Sequence, residues 1–475
     1  MEYPWWSIVP FVAMLLCIAI LPLIPATGHL WENWKFQLGI ALVLGVPTAL
    51  WVGLTRTQGW TVVGHSVFEY IQFISLLFAL FVVSGGIFLS GDIAASPRNN
   101  SLFLIFGGVI ASFIGTTGAA MLLIRPILNT NKQRKHKAHT VMFTIFMVAN
   151  CGGLLTPLGD PPLFMGLLRG VPFTWTFNLF PEWLFVNAML LATYYSLDRI
   201  MYQKEEIPSL MSDVMEQKKL GLHGKFNLVW LAAIIAGVAF APSLDLHAIE
   251  DGSALWNQYV PWREIVLLGS AFMSFVFGSK KARFELNKFT WGPIVEVAVL
   301  FWGIFLTMIP ALKFLAQVAP KLPLNEISYF TLSGALSSVL DNAPTYATFF
   351  EIARANAAAS GEFPADQLVA GVPEVYLVAI SLGSVFCGAV TYIGNGPNFM
   401  VKAVAESAGV KMPAFGGYIV WAFRYLVPIL FAMACIFIAH PLWAKVLGIV
   451  VALLLLGRDA WNIAKAKKLE AVAAE

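Results

Sequence analysis

Two short polar elements interrupt long apolar segments of this chain and resemble each other closely. The first spans 156–165 (TPLGDPPLFM) and the second spans 391–400 (TYIGNGPNFM). Thr, Gly, Pro, Phe and Met recur at the same positions, and Asp160 is matched by Asn395. Corresponding interruptions in the two halves of a membrane protein are the best sequence indicator of a transporter's binding site. We therefore place the chemistry of this protein at these two elements.

Asp160 is the residue of the first element that could hold a cation or a proton. An ionisable side chain inside a membrane span costs about 2.5–3.5 kcal/mol on insertion scales, so by default it indicates function. Pro161 and Pro162 lack a backbone N–H, so the helix opens here and frees carbonyl oxygens such as that of Thr156. An oxygen-rich gap with a carboxylate suits a hard cation such as Na⁺. The structural alternative, for Asp160 and equally for Asp341, is that the carboxylate caps a helix or is satisfied by nearby amides.

A second carboxylate, Asp341, lies in a different kind of interruption. The apolar stretches 101–128 and 327–354 are each broken near the middle, at 115–118 and 341–345 respectively. Each half is too short to cross a hydrocarbon core of about 30 Å. Non-helical backbone at membrane depth persists only against protein or a wet cavity, so both stretches are predicted to be re-entrant hairpins. One carboxylate at such a site can hold a proton or Na⁺ but not both, and this competition is the minimal mechanism of exchange.

Polar and small residues at all four interruptions complete the predicted pocket. Hydroxyl and amide groups would contact the ion or substrate beside Asp160 and Asp341; they belong to Thr116, Thr117, Thr156, Asn342, Thr345, Thr391, Asn395 and Asn398. The residues expected to open the backbone are Gly159, Pro161, Pro162, Gly394, Gly396 and Pro397. Each polar side chain could instead cap a helix. Half-helix N-termini also favour an anion, so an anionic substrate stays open beside a cation.

Charged residues away from the interruptions are assigned structural roles. Glu69 and Glu296 occupy matching positions of the two halves and are expected at the membrane interface. Arg125 precedes Pro126 in the first hairpin, and a salt bridge or a lipid headgroup is its expected partner, with substrate binding as the alternative. The four cysteines lie in apolar segments without metal-binding spacing, so no resident cofactor is expected.

The composition is that of a membrane protein. Of 475 residues, 58% are hydrophobic and 12% are charged, whereas a soluble domain carries roughly 25% charge. Apolar segments long enough to span a bilayer recur along the chain. The predicted spans are 7–25, 37–54, 67–90, 141–170, 179–198, 227–244, 264–278, 291–316, 374–408, 415–439 and 442–457. With the two hairpins, this pattern predicts an all-α polytopic membrane protein of about 11 transmembrane helices.

The distribution of basic residues predicts the orientation. Lys and Arg cluster in 129–140, 199–226, 279–288 and the C-terminal tail. If each hairpin returns to its side of entry, all these segments share one face, which the positive-inside rule makes cytoplasmic. The N-terminus is then outside and the C-terminus cytoplasmic, in the inner membrane of a bacterium.

The two halves are predicted to be inverted structural repeats. The expected divisions are 1–36 (first span and loop), 37–200 (repeat 1, with hairpin 101–128 and broken helix 141–170), 201–261 (cytoplasmic linker, span and external loop), 262–440 (repeat 2, with hairpin 327–354 and broken helix 374–408) and 441–475 (last span and cytoplasmic tail).

The interrupted segments resemble the ion-transporter superfamily of bacterial secondary carriers. The similarity lies in 152–162 (GGLLTPLGDPP) and 340–345 (LDNAPT), and it extends over about 37–440. That superfamily includes D-type sodium/proton antiporters, citrate and dicarboxylate carriers and arsenite efflux pumps. The resemblance implies a homodimer with a scaffold part and a transport part that moves like an elevator. It also implies that Asp160, Thr156, Asp341, Asn342 and Asn395 contact the ion or substrate.

The first hairpin tip departs from the patterns of that superfamily. Such antiporters often carry Asp-Asn at this tip, and carboxylate carriers often carry Ser-Asn-Thr, whereas this chain has Thr116-Thr117. The motifs are therefore more specific for the superfamily than for its cargo.

The sequence favours a secondary transporter in the lipid bilayer rather than an enzyme or a nucleic-acid-binding protein. The leading hypothesis is exchange of Na⁺ (or Li⁺) for H⁺ at Asp160 and Asp341. The alternative is cation-coupled transport of citrate or a dicarboxylate, which the tip hydroxyls and amides favour and the two carboxylates oppose. An intramembrane aspartyl protease could use an Asp pair as acid and base, but it would leave the repeated interruptions unexplained.

Overall fold

The chain folds into a bundle of helices, as the computed structural model shows for residues 2–31, 33–206, 208, 211, 213, 215 and 217–474. Helices long and apolar enough to cross a membrane within these residues are Trp34–Thr55, Gly59–Ser84, Ala138–Leu155, Gly292–Lys321, Phe415–Ile438 and Leu442–Lys468. Shorter apolar helices are Trp5–Ile20, Asn227–Phe240 and Glu374–Val390. The prediction of a helical, multi-pass membrane protein is confirmed.

The α-helices of the described residues are α1 (Val9–Ile20), α2 (Pro25–Trp31), α3 (Trp34–Thr55), α4 (Gly59–Ser84), α5 (Pro97–Ile114), α6 (Thr116–Thr130), α7 (Ala138–Met147), α8 (Pro161–Leu168), α9 (Phe180–Tyr202), α10 (Asn227–Phe240), α11 (Leu246–Glu250), α12 (Trp262–Phe277), α13 (Gly292–Val318), α14 (Glu326–Ser337), α15 (Asn342–Ser360), α16 (Glu374–Phe386), α17 (Gly396–Ser407), α18 (Phe415–Tyr425), α19 (Val427–Met433) and α20 (Leu442–Ala474). Short 3₁₀ segments are Trp5–Ile8, Leu21–Leu23, Cys151–Leu155, Phe173–Leu179, Trp256–Gln258, Ala319–Lys321, Ala365–Gln367 and Cys387–Val390, and π-helical turns are Lys281–Leu286 and Ala434–Ile438.

Helices α3, α4 and α13 pack together as one layer. This layer lies beside the helices of the four interrupted segments (101–128, 141–170, 327–354 and 374–408), which we call the interrupted helices. Small residues allow α3 and α13 to approach closely, since a Cβ added at Gly303 would lie 2.8 Å from the Cβ of Ala41. Aromatic rings then fill the space towards the interrupted helices. The ring centroid of Phe73 in α4 lies 4.7 Å from that of Phe301 in α13 and 6.4 Å from that of Phe164 in α8.

The two expected hairpins are each a pair of helices with a break close to the predicted position. Between α5 and α6 the chain turns at Gly115, whose φ of +81° is a conformation that favours glycine. Between α14 and α15 helical structure is interrupted over 338–341. Here Asp341 caps α15, and its Oδ1 accepts a hydrogen bond from the Ala343 N–H at 3.1 Å. Gly115 therefore ends α5, and Asp341 caps the start of α15, as the conformational preferences of these residue types predict.

The two long segments predicted to be broken are also interrupted. The segment 141–170 contains α7, the 3₁₀ turn Cys151–Leu155 and α8, and the segment 374–408 contains α16, the turn Cys387–Val390 and α17. In both, the second helix begins beside proline, which has no N–H to donate to the previous turn.

The structure corrects the bounds of two predicted spans and adds short strands to the all-α prediction. The predicted span 67–90 begins earlier, at Gly59, and ends at Ser84, and Phe88–Asp92 forms strand β1, which pairs antiparallel with β2 (Lys218–His223). Side chains cause this early end, because the amide of Asn287 donates to the carbonyl of Gly85 and the amide of Asn227 to that of Gly86. A second pair joins β3 (Leu368–Val369) and β4 (Val372–Pro373). The last helix continues past the predicted 442–457, since its sequence contains no proline after Pro441.

A buried ionic cluster fastens the basic loop 129–140 to the end of α9. The Arg134 guanidinium donates from Nη2 to Asp198 Oδ1 at 2.6 Å, and its Nε lies 3.6 Å from Glu205 Oε1. His139 Nε2 lies 2.7 Å from Asp198 Oδ1. Burial lowers the pKa of Arg134, but the Asp198 carboxylate together with Tyr194 and Glu205 raises that pKa, so the net shift is upward and the pair stays ionised.

Replacing Arg134 by Ala should destabilise the protein strongly. Removing one member of a buried ion pair leaves the other charge uncompensated, which costs about 3–5 kcal/mol. We expect a clear fall in the thermal unfolding temperature of the purified protein. The control Arg98→Ala removes the same charge from an exposed position in the first turn of α5 and should leave the unfolding temperature unchanged. Equal unfolding temperatures for both variants would contradict a stabilising role of the cluster.

Candidate functional site

The Asp160 carboxylate accepts hydrogen bonds from one residue of each of the three other interrupted segments. Its Oδ1 accepts hydrogen bonds from the Thr116 hydroxyl at 3.0 Å and from the Asn395 amide at 3.4 Å. Its Oδ2 accepts one from the Asn342 amide at 2.6 Å. The side chain is buried, with Asp160 only 1% exposed. The four predicted site residues Asp160, Thr116, Asn342 and Asn395 therefore form one cluster.

Each member of this cluster lies at the N-terminus of a helix. Thr116 and Asn342 are the first residues of α6 and α15, and Asp160 and Asn395 directly precede α8 and α17. Neither Asp160 nor Asn395 caps its own helix with its side chain. Four helix dipoles therefore present their positive ends to one carboxylate. These helix ends and hydrogen bonds partly offset the cost of burying a charge on Asp160.

Asn150 forms a second layer of the cluster that sequence reasoning missed. Its Oδ1 accepts a hydrogen bond from the Asn395 amide at 3.1 Å, and its own amide donates to Asn398 Oδ1 at 2.7 Å. Asn150 is completely buried. Its hydrogen bonds connect the break in the segment 141–170 to the break in the segment 374–408. The available signal was a polar residue next to a glycine pair (Gly152-Gly153) inside an apolar run.

Asp341 lies near Asp160 but outside its hydrogen-bond network. Its side chain serves as the N-cap of α15, and its backbone carbonyl accepts a hydrogen bond from the Thr345 hydroxyl at 3.0 Å. The capping alternative thus describes the Asp341 side chain. Its carboxylate nevertheless lines the same cavity as Asp160, so it remains placed to face an ion there.

Three other predicted site residues bond to the protein backbone. The Thr156 hydroxyl donates to the carbonyl of Ser112, and the Thr391 hydroxyl donates to that of Ser338. The amide of Asn398 donates to the carbonyls of Gly388 and Thr391 at 2.8 and 2.9 Å. Thr156 and Thr391 thus hold each broken segment against its neighbouring hairpin, whereas the Asn398 amide bonds within its own segment. Thr117 lines the cavity instead.

The glycines and prolines of the two elements shape the backbone rather than contact a ligand through side chains. A Cβ added at Gly394 would lie 2.6 Å from the carbonyl oxygen of Gly388, and one at Gly159 would meet that of Gly153 even more closely. At Gly396 nothing lies within 4 Å of an added Cβ. Pro161, Pro162 and Pro397 occupy the first turns of α8 and α17, where their missing N–H costs nothing.

A cavity of about 260 Å³ extends from the cluster between the interrupted helices and the layer of α4 and α13. This volume lies just below the range of sites for drug-sized ligands, about 300–1,000 Å³, so the cavity suits an ion or a smaller organic molecule. Its polar lining includes Asp160, Asp341, Arg125 and Lys288. Within the part of the chain that the structure describes, the expected salt bridge of Arg125 is absent, and its buried Nε donates no hydrogen bond.

The other end of these helices is held by an ionic junction. Arg169, just after α8, lies 3.4 Å from Glu69 of α4 and 3.6 Å from Glu351 of α15. The matching residue Glu296 instead accepts a hydrogen bond from the Gln37 amide of α3 at 2.9 Å. Glu69 therefore connects the α3–α4–α13 layer to the interrupted helices, whereas Glu296 bonds within that layer.

Comparison with known proteins places this architecture among transporters. Residues 1–438 match the family described as "Putative citrate transport". A "46 kDa membrane protein" of Mycobacterium leprae is 24% identical over 337 residues, which cover 67% of this chain and 72% of the relative. An "uncharacterized transporter" of Mycobacterium tuberculosis is 23% identical over 361 residues, covering 74% and 78%. A carrier function follows in general terms.

Replacing Gly394 by Ala should disrupt the site. The added methyl group would collide with the backbone carbonyls of Gly388 and Ser337, and such overpacking costs about 1–3 kcal/mol. We expect a lower unfolding temperature and reduced transport. The control Gly396→Ala lies two residues away and meets open space, so it should fold with the wild-type unfolding temperature. If both variants unfold alike, close backbone approach does not explain the glycine at 394.

Proposed function

Since the chain belongs to the family described as "Putative citrate transport", we propose that it is a secondary carrier in which Na⁺ and H⁺ bind alternately at Asp160. The supporting observation is the convergence of Thr116, Asn342 and Asn395 on one buried carboxylate. Hydroxyl and amide groups can each turn an oxygen towards a cation. Asn342 Oδ1 is already buried without a hydrogen-bond partner among the described residues, and it could serve as such a ligand.

Exchange of Na⁺ for H⁺ follows from competition at this carboxylate. A proton on Asp160 removes the charge that holds Na⁺, and Na⁺ on Asp160 excludes the proton. Asp341 faces the same cavity and supplies a second carboxylate for the ion or for a proton. Protons that move down their gradient would therefore expel Na⁺ (or Li⁺) against its gradient.

The proposed architecture has about 11 transmembrane helices, two re-entrant hairpins and two inverted repeats, 37–200 and 262–440. Equivalent contacts in the two halves support the repeats. Thr156 bonds to Ser112 in the first half as Thr391 bonds to Ser338 in the second. Likewise Gly159 approaches Gly153 as Gly394 approaches Gly388. We extend the proposal to a homodimer whose interrupted helices move as an elevator against the α3–α4–α13 layer.

The proposed orientation makes this an inward-facing conformation in a bacterial inner membrane. The cavity reaches Lys288, which lies in one of the basic loops assigned to the cytoplasm. The junction of Arg169, Glu69 and Glu351 lies nine residues further along α8 and α15, on the opposite side of the cluster. The ion pair of Arg169 with Glu69, which joins the moving helices to α4, would have to break for Asp160 to reach the outside.

Cation-coupled transport of citrate or another small carboxylate is the second candidate. The family description and the cationic side chains of Arg125 and Lys288 in the cavity favour it. Under this candidate Asp160 and Asp341 bind the coupling cation, which offsets their repulsion of the carboxylate substrate.

Na⁺ should dissipate a pH gradient in proteoliposomes that contain the protein and an acidic interior. The measurement is the signal of a pH-sensitive dye after addition of Na⁺, Li⁺ or K⁺ outside. We expect a response to Na⁺ or Li⁺ in the wild type, an apparent KM for Na⁺ that rises as pH falls, and only the protein-free background with Asp160→Asn or Asp341→Asn. Asp251→Asn, in an exposed turn, is the matched control and should behave as the wild type. Full exchange by Asp160→Asn would refute the proposed role.

Citrate uptake decides between the two candidates. Proteoliposomes with an imposed inward Na⁺ gradient are mixed with radiolabelled citrate, and uptake is compared with and without the gradient. Gradient-dependent accumulation favours the carboxylate carrier, and its absence in liposomes that exchange Na⁺ for H⁺ favours the antiporter. If the folded wild-type protein shows neither Na⁺/H⁺ exchange nor citrate uptake, both candidates are refuted.

A further inference from the structure

Arg125 is a cation of the cavity that the Na⁺/H⁺ mechanism does not use. Gly118, Met121 and Arg125 follow each other at helical spacing on one face of α6, and all three line the cavity. The Arg125 side chain is half-buried, and among the described residues it has no ion pair and no hydrogen-bond partner for its buried Nε. A buried N–H group without a hydrogen-bond partner is costly, and an anionic ligand in the cavity would supply that partner.

Among the described residues Asp160 bonds to Thr116, Asn342 and Asn395 and forms no ion pair with Arg125, so Asp160 is not that anion. Thr116, which contacts Asp160, lies nine residues before Arg125 on the same helix. Nine residues correspond to about 13.5 Å along a helix axis. The cavity thus has carboxylates at one end and a guanidinium well separated from them towards the other.

Lys288 adds a second cation at the mouth of the cavity, and the surrounding loop is firmly held. Asn287 donates to the carbonyls of Gly85 and Ile87 at 2.9 and 2.6 Å, and Arg283 donates to that of Val82 at 2.5 Å. Lys288 itself has a φ of +49°, a conformation that side-chain-bearing residues rarely adopt. The packing around the loop thus fixes the backbone from which the exposed Lys288 side chain extends.

We propose that Arg125, assisted by Lys288, forms a subsite for a carboxylate group of a small di- or tricarboxylate substrate. A planar guanidinium matches a carboxylate through two parallel hydrogen bonds. The same guanidinium would repel Na⁺, so a carrier of cations alone gains nothing from it. This subsite goes beyond Na⁺/H⁺ exchange and rests on the second candidate function. It assigns the two ends of the cavity to different charges, with the coupling cation at Asp160 and the anion at Arg125.

Equilibrium binding of radiolabelled citrate to the purified protein in lipid nanodiscs, with Na⁺ present, tests the subsite. We expect saturable binding to the wild type and about 10- to 100-fold weaker binding to Arg125→Gln, since a hydrogen bond to a charged group contributes about 1.5–3 kcal/mol. Arg125→Lys keeps the positive charge but lacks the planar pair of N–H donors. Its affinity for citrate should therefore lie between those of the wild type and Arg125→Gln. Lys288→Gln should weaken binding less and reduce its dependence on salt.

The matched control is Arg98→Gln, which removes the same charge at an exposed residue outside the cavity and should bind citrate as the wild type. Na⁺/H⁺ exchange is measured on every variant, so that a folded Arg125→Gln protein still exchanges ions while it loses citrate. Wild-type citrate affinity in Arg125→Gln overturns the proposal. Competition by inorganic phosphate as strong as by unlabelled citrate overturns the carboxylate class. Exchange without any citrate binding by the wild type overturns the subsite and leaves the antiporter standing.

Discussion

The structure depends on one buried carboxylate that receives hydrogen bonds from three distant parts of the chain. Asp160 is 44 residues from Thr116, 182 from Asn342 and 235 from Asn395. Each of these residues lies at a helix N-terminus, where backbone N–H groups and the helix dipole favour negative charge. The carboxylate therefore compensates four helix ends at once. Under the proposed exchange, a cation that displaces one donor would alter the electrostatics of all four helix ends, and this would couple binding to the proposed movement.

The interrupted helices are held to the rest of the protein differently at their two ends. On the side of Arg169 an ionic junction reaches α4 through Glu69. On the opposite side, a cavity separates α6 and α8 from α4 and α13, with Arg125 and Lys288 in its lining. A carrier needs this asymmetry, because a site that is open on both sides would leak its coupling ion. The rings of Phe73 and Phe164 lie between α4 and α8 and make the contact there apolar.

Local chemistry explains why the breaks could be predicted from the sequence. Gly115 adopts a positive φ, Asp341 caps a helix, and Pro161 and Pro162 begin one, so each break follows from the conformational limits of residues at that point. The end of α4 could not be predicted in this way. Its apolar run continues to residue 90, but Asn287 and Asn227 take the carbonyls at its end, and β2 pairs with the residues that follow. Those partners lie more than 120 residues away in the chain.

The sequence by itself determined that this is a helical membrane protein with four polar interruptions, because composition and backbone preference act over a few residues. It also identified Asp160 and the threonines and asparagines at the breaks. Only the tertiary structure decided which of them meet. Thr156, Thr391 and Asn398 turned out to bind backbone carbonyls, Asn150 joined the cluster, and Arg125 faced the cavity without a salt bridge among the described residues. The reason is physical: side-chain partners are selected by the packing of helices far apart in sequence, and the residue types are equally suited to capping and to ligand contact.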